Sequence, residues 1–205
     1  MPRRLGVALF QLGGPDTLDA IEPFLYNLFC DPEIIDFPFA RLGRKALAKL
    51  ISTTRARKVA HHYSVIGGGS PIRRFTEEQT ALLQAELRAQ GIDCVCAVAM
   101  RYWHPFTNEA IAKLEAAGCD EFVLLPLYPQ YSSTSTGSSL NEWRRQFLHC
   151  HPERAAFERR ERRVKDLGEA PRAVKRSEAV ERASRASLLS APQIHAITDF
   201  YRHPL

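Results

Sequence analysis

Three short, almost uniformly apolar runs recur along the chain, and their spacing constrains the fold more than any other feature. They are "LGVALFQL" at residues 5–12, "IDCVCAVAM" at 92–100 and "EFVLLPLYPQY" at 121–131. A strand with one face in water alternates apolar and polar residues. A continuous apolar run of this length instead fits a strand buried on both faces, as in a parallel sheet. Each run is followed by turn residues and then by a helix signal. After the first come Gly13, Gly14 and Pro15, with Asp16 or Thr17 placed to cap a helix through about Leu28. "ALAKLISTTRARKVAHHY" carries apolar residues at three-to-four spacing. Thr76-Glu77-Glu78-Gln79 has the form of a capping box, and the helix after it stops at Gly91. Thr107 is placed to cap a further helix ended by Gly118, and "GSSLNEWRRQF" opens another after the third run. The Pro126 and Pro129 pair predicts that the third strand becomes irregular near Leu125.

This rhythm of strand and helix is that of right-handed β-α-β units. Residues 1–148 are therefore expected to form a doubly wound α/β domain with a parallel sheet. Ligands in such sheets sit beyond the carboxyl ends of the strands. Here those ends are "QLGGPD", "AMRYWHP" and "LYPQYSSTSTGSS", where unusual polar and aromatic residues concentrate.

Residues 149–191 differ in kind. They are dense in Arg and Glu and nearly free of large apolar residues, so they are expected to be disordered or loosely helical. Interleaved glutamates and the lack of recurring aromatic residues argue against a nucleic-acid arm. The formal charge of the whole chain, +5 from 28 Lys+Arg against 23 Asp+Glu, is too small to name a partner. No apolar run reaches the ~18 residues that span a bilayer. Five cysteines lack a C-x-x-C pair, and Cys94 and Cys96 point the same way on a strand. Reduced thiols in a cytoplasmic protein are the expectation.

"IGGGSPIRRFT" at residues 66–76 matches neither phosphate-binding glycine pattern. One or two of its glycines are explained by a tight turn. Three, followed by Ser70 and Pro71, suggest a surface that something flat approaches. Arg101 at a strand end suits a ligand carboxylate or a surface ion pair. His104 suits a metal ligand or a hydrogen-bonded turn. His61 and His62 are adjacent and cannot share one ion on a helix.

Taken together, "LGGPDT", "PFLYNLFCDPEII", "YSVIGGGSPI", "AMRYWHPFT" and "LLPLYPQYSSTSTGSSL" resemble the N-terminal half of ferrochelatase over about residues 5–147. The resemblance implies a Rossmann-like, chelatase-like half of a two-domain cleft enzyme that inserts Fe²⁺ into protoporphyrin IX in haem synthesis. It implies catalytic roles for Arg101 and Tyr63 and substrate contacts for Leu12, Arg55, Ser70 and Tyr128, with Arg55 toward the propionates. Leu12, where coproporphyrin-type relatives carry tyrosine, implies the protoporphyrin type. "PFLYNLF" and "EIIDFPF" match an apolar lip that touches the membrane in some relatives, which implies a cytoplasmic protein with peripheral membrane contact. Porphyrin and Fe²⁺ are the implied substrates, with no nucleic acid and no required cofactor. Ser133 replaces the cysteine that binds an iron–sulfur cluster in animal enzymes, so that cluster is not expected.

The family's metal-site histidine and its acidic partner have no match before Leu205. Residues 192–205 read as the truncated start of the second half, and residues 149–191 as an insertion. The polypeptide is thus expected to be inactive by itself. A porphyrin-binding remnant and another tetrapyrrole chelatase are the alternatives. Oligomeric state is not legible.

Overall fold

The computed structural model describes residues 4–35, 40–151 and 193–196. Strand β1 (Leu5–Gln11) is followed by helices α1 (Ile21–Phe29), α2 (Ala40–Val65) and α3 (Ile72–Ala89). Strand β2 (Cys94–Met100), helix α4 (Thr107–Ala116) and strand β3 (Glu121–Pro126) come next. A π-helical turn (Ser133–Gly137) leads into α5 (Ser138–Cys150), and β4 (Gln193–Ala196) completes the sheet. All pairings are parallel, in the order β2-β1-β3-β4. This is the Rossmann-like arrangement expected from the three apolar runs.

The register explains why the first run is apolar throughout. Val7 faces Cys96 on one side and Val123 on the other, so β1 is flanked at both edges. Alternate residues then serve two cores. Val7 and Leu9 pack with Cys94, Cys96 and, from α3, Leu83 and Leu87. Ala8 and Phe10 pack with Ala97, Phe122 and Leu124 beneath Ile111 and Leu114 of α4 and Trp143 and Phe147 of α5. Trp143 has ring centroids 5.8 Å from Phe10 and 5.9 Å from Phe122. A third cluster joins α1 to α2 above the strand ends, through Ile21, Phe24, Leu25, Phe29, Ala48 and Tyr102. The five cysteines are unpaired, and burial pushes the Cys96 thiol up to about 12.

Three helix starts differ from expectation. The box at Thr76 is not a cap: α3 already begins at Ile72 after Pro71, and the Thr76 hydroxyl donates to the Ile72 carbonyl inside the helix at 2.7 Å. Proline's preset φ starts the helix one turn earlier than the polar pattern implied. Neither Asp16 nor Thr17 caps α1. Thr17 closes a turn by accepting from the Ala20 amide, and Asp16 is drawn away to Trp103 and Arg73. Thr107 is the buried first residue of α4 rather than its cap, and Glu109 accepts from the Phe106 amide at 2.6 Å. Gly91 and Gly118 end their helices with positive φ, as expected.

Helix α5 runs to Cys150, two residues past the boundary drawn at 148. The Arg/Glu-rich stretch from residue 152 onward lies outside the described residues, as does most of the 192–205 segment. Within the latter, Gln193–Ala196 joins the same sheet beside β3. Among the described residues, no helix is long and apolar enough to cross a membrane.

Replacing Trp143 by alanine removes the ring that joins α5 to β1 and β3. The expected cost is about 3–5 kcal/mol, read as a lowered urea midpoint. A loss under ~1 kcal/mol would show that α5 is not anchored there.

Candidate functional site

In the order β2-β1-β3-β4 the connections reverse direction at β1, and the crevice that this creates lies beyond the carboxyl ends of the strands. The segments leaving β1 and β2 are tied there by their backbones. Arg101 N donates to Gln11 O at 2.9 Å, and Tyr102 N donates to Leu12 O at 3.1 Å.

Four of the six site residues expected from sequence fall into two groups, and Arg55 and Ser70 stand apart. Leu12 and Tyr63 belong to the apolar one. They pack on the α1–α2 cluster with Trp103 and the Tyr102 ring. Arg55 is exposed on α2, its guanidinium 5.8 Å from the Phe29 ring centroid. Burial raises the Tyr63 phenol, so it stays neutral near pH 7.

Arg101 and Tyr128 form the polar group, joined through two consecutive serines of α5. Arg101 Nε donates to Ser138 Oγ at 2.7 Å, and the Tyr128 hydroxyl lies 2.9 Å from Ser139 Oγ. Burial pushes the Tyr128 phenol up to about 12, against the opposing pull of Ser139 and Arg101. Arg101 is neither a free cation nor a surface ion pair. Its side chain is 16% exposed, with Nη2 3.0 Å from Asp31 and Nη1 4.0 Å from Glu142.

Asp31 is the residue that sequence reasoning missed. Its side chain is wholly buried, and its Oδ2 accepts from the Tyr102 and Ser138 hydroxyls at 2.5 Å each. Its Oδ1 accepts from the Glu33 amide at 2.9 Å. Burial works to raise this carboxyl, but Ser138, Tyr102, the Glu33 amide and Arg101 outweigh it and hold it below the usual carboxylate range. Tyr102 joins the two groups, its ring in the apolar cluster and its hydroxyl on Asp31. The only sequence signal for Asp31 was an aspartate between Cys30 and Pro32, too plain to single out. Asp31, Arg101, Ser138 and Glu142 line one side of a cavity of about 440 Å³.

Ser70 and the glycines are placed by packing of backbone on backbone. Ser70 N donates to Pro15 O at 2.7 Å. A Cβ on Gly69 would sit 2.2 Å from the Asp16 carbonyl oxygen, so this glycine permits the loop after α2 to lie against the loop after β1. Gly67 and Gly68 have φ of +101° and +89° with open space around them, which is turn geometry. Asp16 fastens the contact by accepting from Trp103 Nε1 at 3.0 Å and pairing with Arg73 at 3.4 Å. Three loops are thereby held in one place.

His104 pairs with Glu109 at 2.8 Å, the turn alternative of its two readings. Among the described residues, no group of three His, Cys, Asp or Glu side chains could hold a metal ion. Phe24, Leu25 and Phe29 of the expected lip are buried, and residues 36–39 of it lie outside the described residues. Ser133 is exposed at the start of the π-helical turn.

The family model for ferrochelatase matches residues 4–162. The chain belongs to the ferrochelatase family. It is 60% identical over 136 residues to a ferrochelatase of Cyanothece sp., an alignment covering 66% of this chain and 35% of that protein. Identity is 55% over 142 residues to one of Synechococcus sp. and 51% over 142 residues to one of Prochlorococcus marinus; each covers 69% of this chain and 36% of the relative. The chain thus spans about a third of the length of these relatives.

Two outcomes are expected. Gly69→Ala should cost about 2 kcal/mol through its clash with Asp16, against about 1 kcal/mol for Gly67→Ala, whose only penalty is positive φ. Equal thermal shifts would show that the loop contact contributes nothing. Asp31 titrates lower in the folded chain than its unfolded value of about 3.9. Its contribution is therefore fully present above that pH and is lost as pH falls through the lowered folded value. The urea midpoint of the unaltered chain should fall more steeply below about pH 4 than that of Asp31→Asn. Parallel falls would mean that Asp31 is not an ionised, satisfied carboxylate.

Proposed function

We propose that this chain supplies the porphyrin-holding wall of a ferrochelatase that inserts Fe²⁺ into protoporphyrin IX. One observation carries the reading. At the strand ends of a ferrochelatase-family fold, an aromatic and aliphatic wall (Leu12, Tyr63 and Trp103) adjoins a buried charged cluster built on Asp31 and Arg101. A flat macrocycle needs an apolar face to lie on and a few fixed polar groups for orientation. In this reading Arg55, exposed on α2, meets a propionate. Leu12 offers no hydroxyl, which suits the more apolar protoporphyrin.

Insertion replaces two pyrrole N–H protons by iron, so a base and metal-delivery ligands are required. The tyrosines and Asp31 of the site do not fit as that base. Tyr63, Tyr102 and Tyr128 are all raised and stay neutral at pH 7, and Asp31 is held ionised with its oxygens already committed to donors. In this reading Tyr63 acts through its ring and Arg101 acts as a fixed cation. Acid–base and metal-delivery groups then come from elsewhere in the enzyme. A second reading is a porphyrin-binding module without chemistry.

A porphyrin titration of the 205-residue polypeptide, followed by visible absorbance with and without Fe²⁺ under reducing conditions, distinguishes these. Saturable binding with little or no metal insertion is expected of the polypeptide alone. No binding would refute the porphyrin-wall reading, and appreciable turnover would show that the polypeptide includes a base and a metal path after all.

A further inference from the structure

Asp31 is more than a tether for the end of α1. A single hydroxyl would satisfy a buried carboxyl group in its neutral form, whereas keeping it ionised without solvent demands several strong donors. Two of its donors, Arg101 and Tyr102, are consecutive residues leaving β2, and Asp31 gathers both onto the same oxygen, at 3.0 Å and 2.5 Å. Ser138 closes the arrangement, donating to that oxygen while accepting from Arg101 Nε. The guanidinium is therefore gripped on two arms. Its third, Nη1, faces Glu142 across 4.0 Å, too far for a hydrogen bond but close enough for attraction.

We propose that Asp31 is the positioning residue of this site. It holds the Arg101 guanidinium in the arrangement that receives the porphyrin, and it keeps Arg101 from turning toward Glu142 in the cavity. The inference rests on the porphyrin-wall reading and deepens it. A wall ordered before the ligand arrives loses little freedom on binding, which favours affinity without any new contact.

The test uses the 205-residue chain with Asp31→Asn, Asp31→Glu, Arg101→Met and the Asp31→Asn/Arg101→Met double variant. Protoporphyrin IX is titrated by fluorescence, the induced circular dichroism of its Soret band is recorded, and thermal unfolding is followed alongside. Asp31→Asn should bind roughly tenfold more weakly with an altered Soret signal, and Asp31→Glu should recover part of both. The double variant should lose no more than Arg101→Met alone, because both changes act through one guanidinium. Unaltered affinity and Soret signal in Asp31→Asn, or losses that add in the double variant, would overturn the proposal. Should Asp31→Asn fail to fold, Asp31→Glu serves in its place. It keeps the charge but displaces the carboxylate by one methylene, so weaker binding with an altered Soret signal supports positioning, and unaltered values refute it. If the unaltered chain binds no porphyrin, this inference falls together with the porphyrin-wall reading. If the chain binds but is indifferent to residue 31, only this inference falls.

Discussion

Burial of β1 on both faces and along both edges is the constraint from which the rest of the structure follows. Val7 and Leu9 face one core and Ala8 and Phe10 the other, while β2 and β3 take its two hydrogen-bonding edges. A strand so enclosed cannot slip its register by one residue without exchanging both faces at once. The carboxyl ends of β1, β2 and β3 are therefore brought side by side, and the loops that leave them must share one small region. Backbone bonds from Arg101 to Gln11 and from Tyr102 to Leu12 carry the β1–β2 pairing past the last residues of the strands.

Where the sheet ends, a charged centre takes over. Asp31, wholly buried, draws together the end of α1, the two residues after β2 and the first residue of α5. The apolar layer between α1 and α2 stacks on one part of this centre through the Tyr102 ring, and the polar cavity opens on another. A second, more exposed acid does similar work nearby. Asp16 ties the loop after β1 to Trp103 and Arg73, beside a glycine that leaves room for its carbonyl. Two carboxylates, with backbone bonds and apolar contacts, thus locate the loops relative to each other.

The sheet was legible in the sequence because burial on both faces leaves an unmistakable mark, and "LGVALFQL" and "IDCVCAVAM" carry it plainly. Helix ends at Gly91 and Gly118 were legible because a residue at positive φ is nearly always glycine. Helix caps were not. Asp16, Thr17, Thr76 and Thr107 all have the right chemistry for a cap, yet the first three found other partners and Thr107 is buried as the first residue of α4. A polar residue near a helix start does not reveal which hydrogen bond it will choose. Of the expected site residues, Leu12 and Tyr63 share one cluster and Arg101 and Tyr128 share one helix start. No periodicity or spacing could have shown that Tyr102 links the two groups.

The chain's family and its strand–helix order were determined by the sequence itself, through five quoted motifs and three apolar runs that report local burial. The protonation and orientation of the candidate site were decided only by the tertiary structure. Arg101 looks the same in sequence whether it reaches for a ligand or is gripped by Asp31, seventy residues earlier. The three glycines likewise read as a landing surface until Asp16's carbonyl is seen against Gly69. The physical reason is the same in both cases. Burial of a charge and close approach of two backbones are properties of segments far apart in the chain, and they exist only once those segments have been packed together.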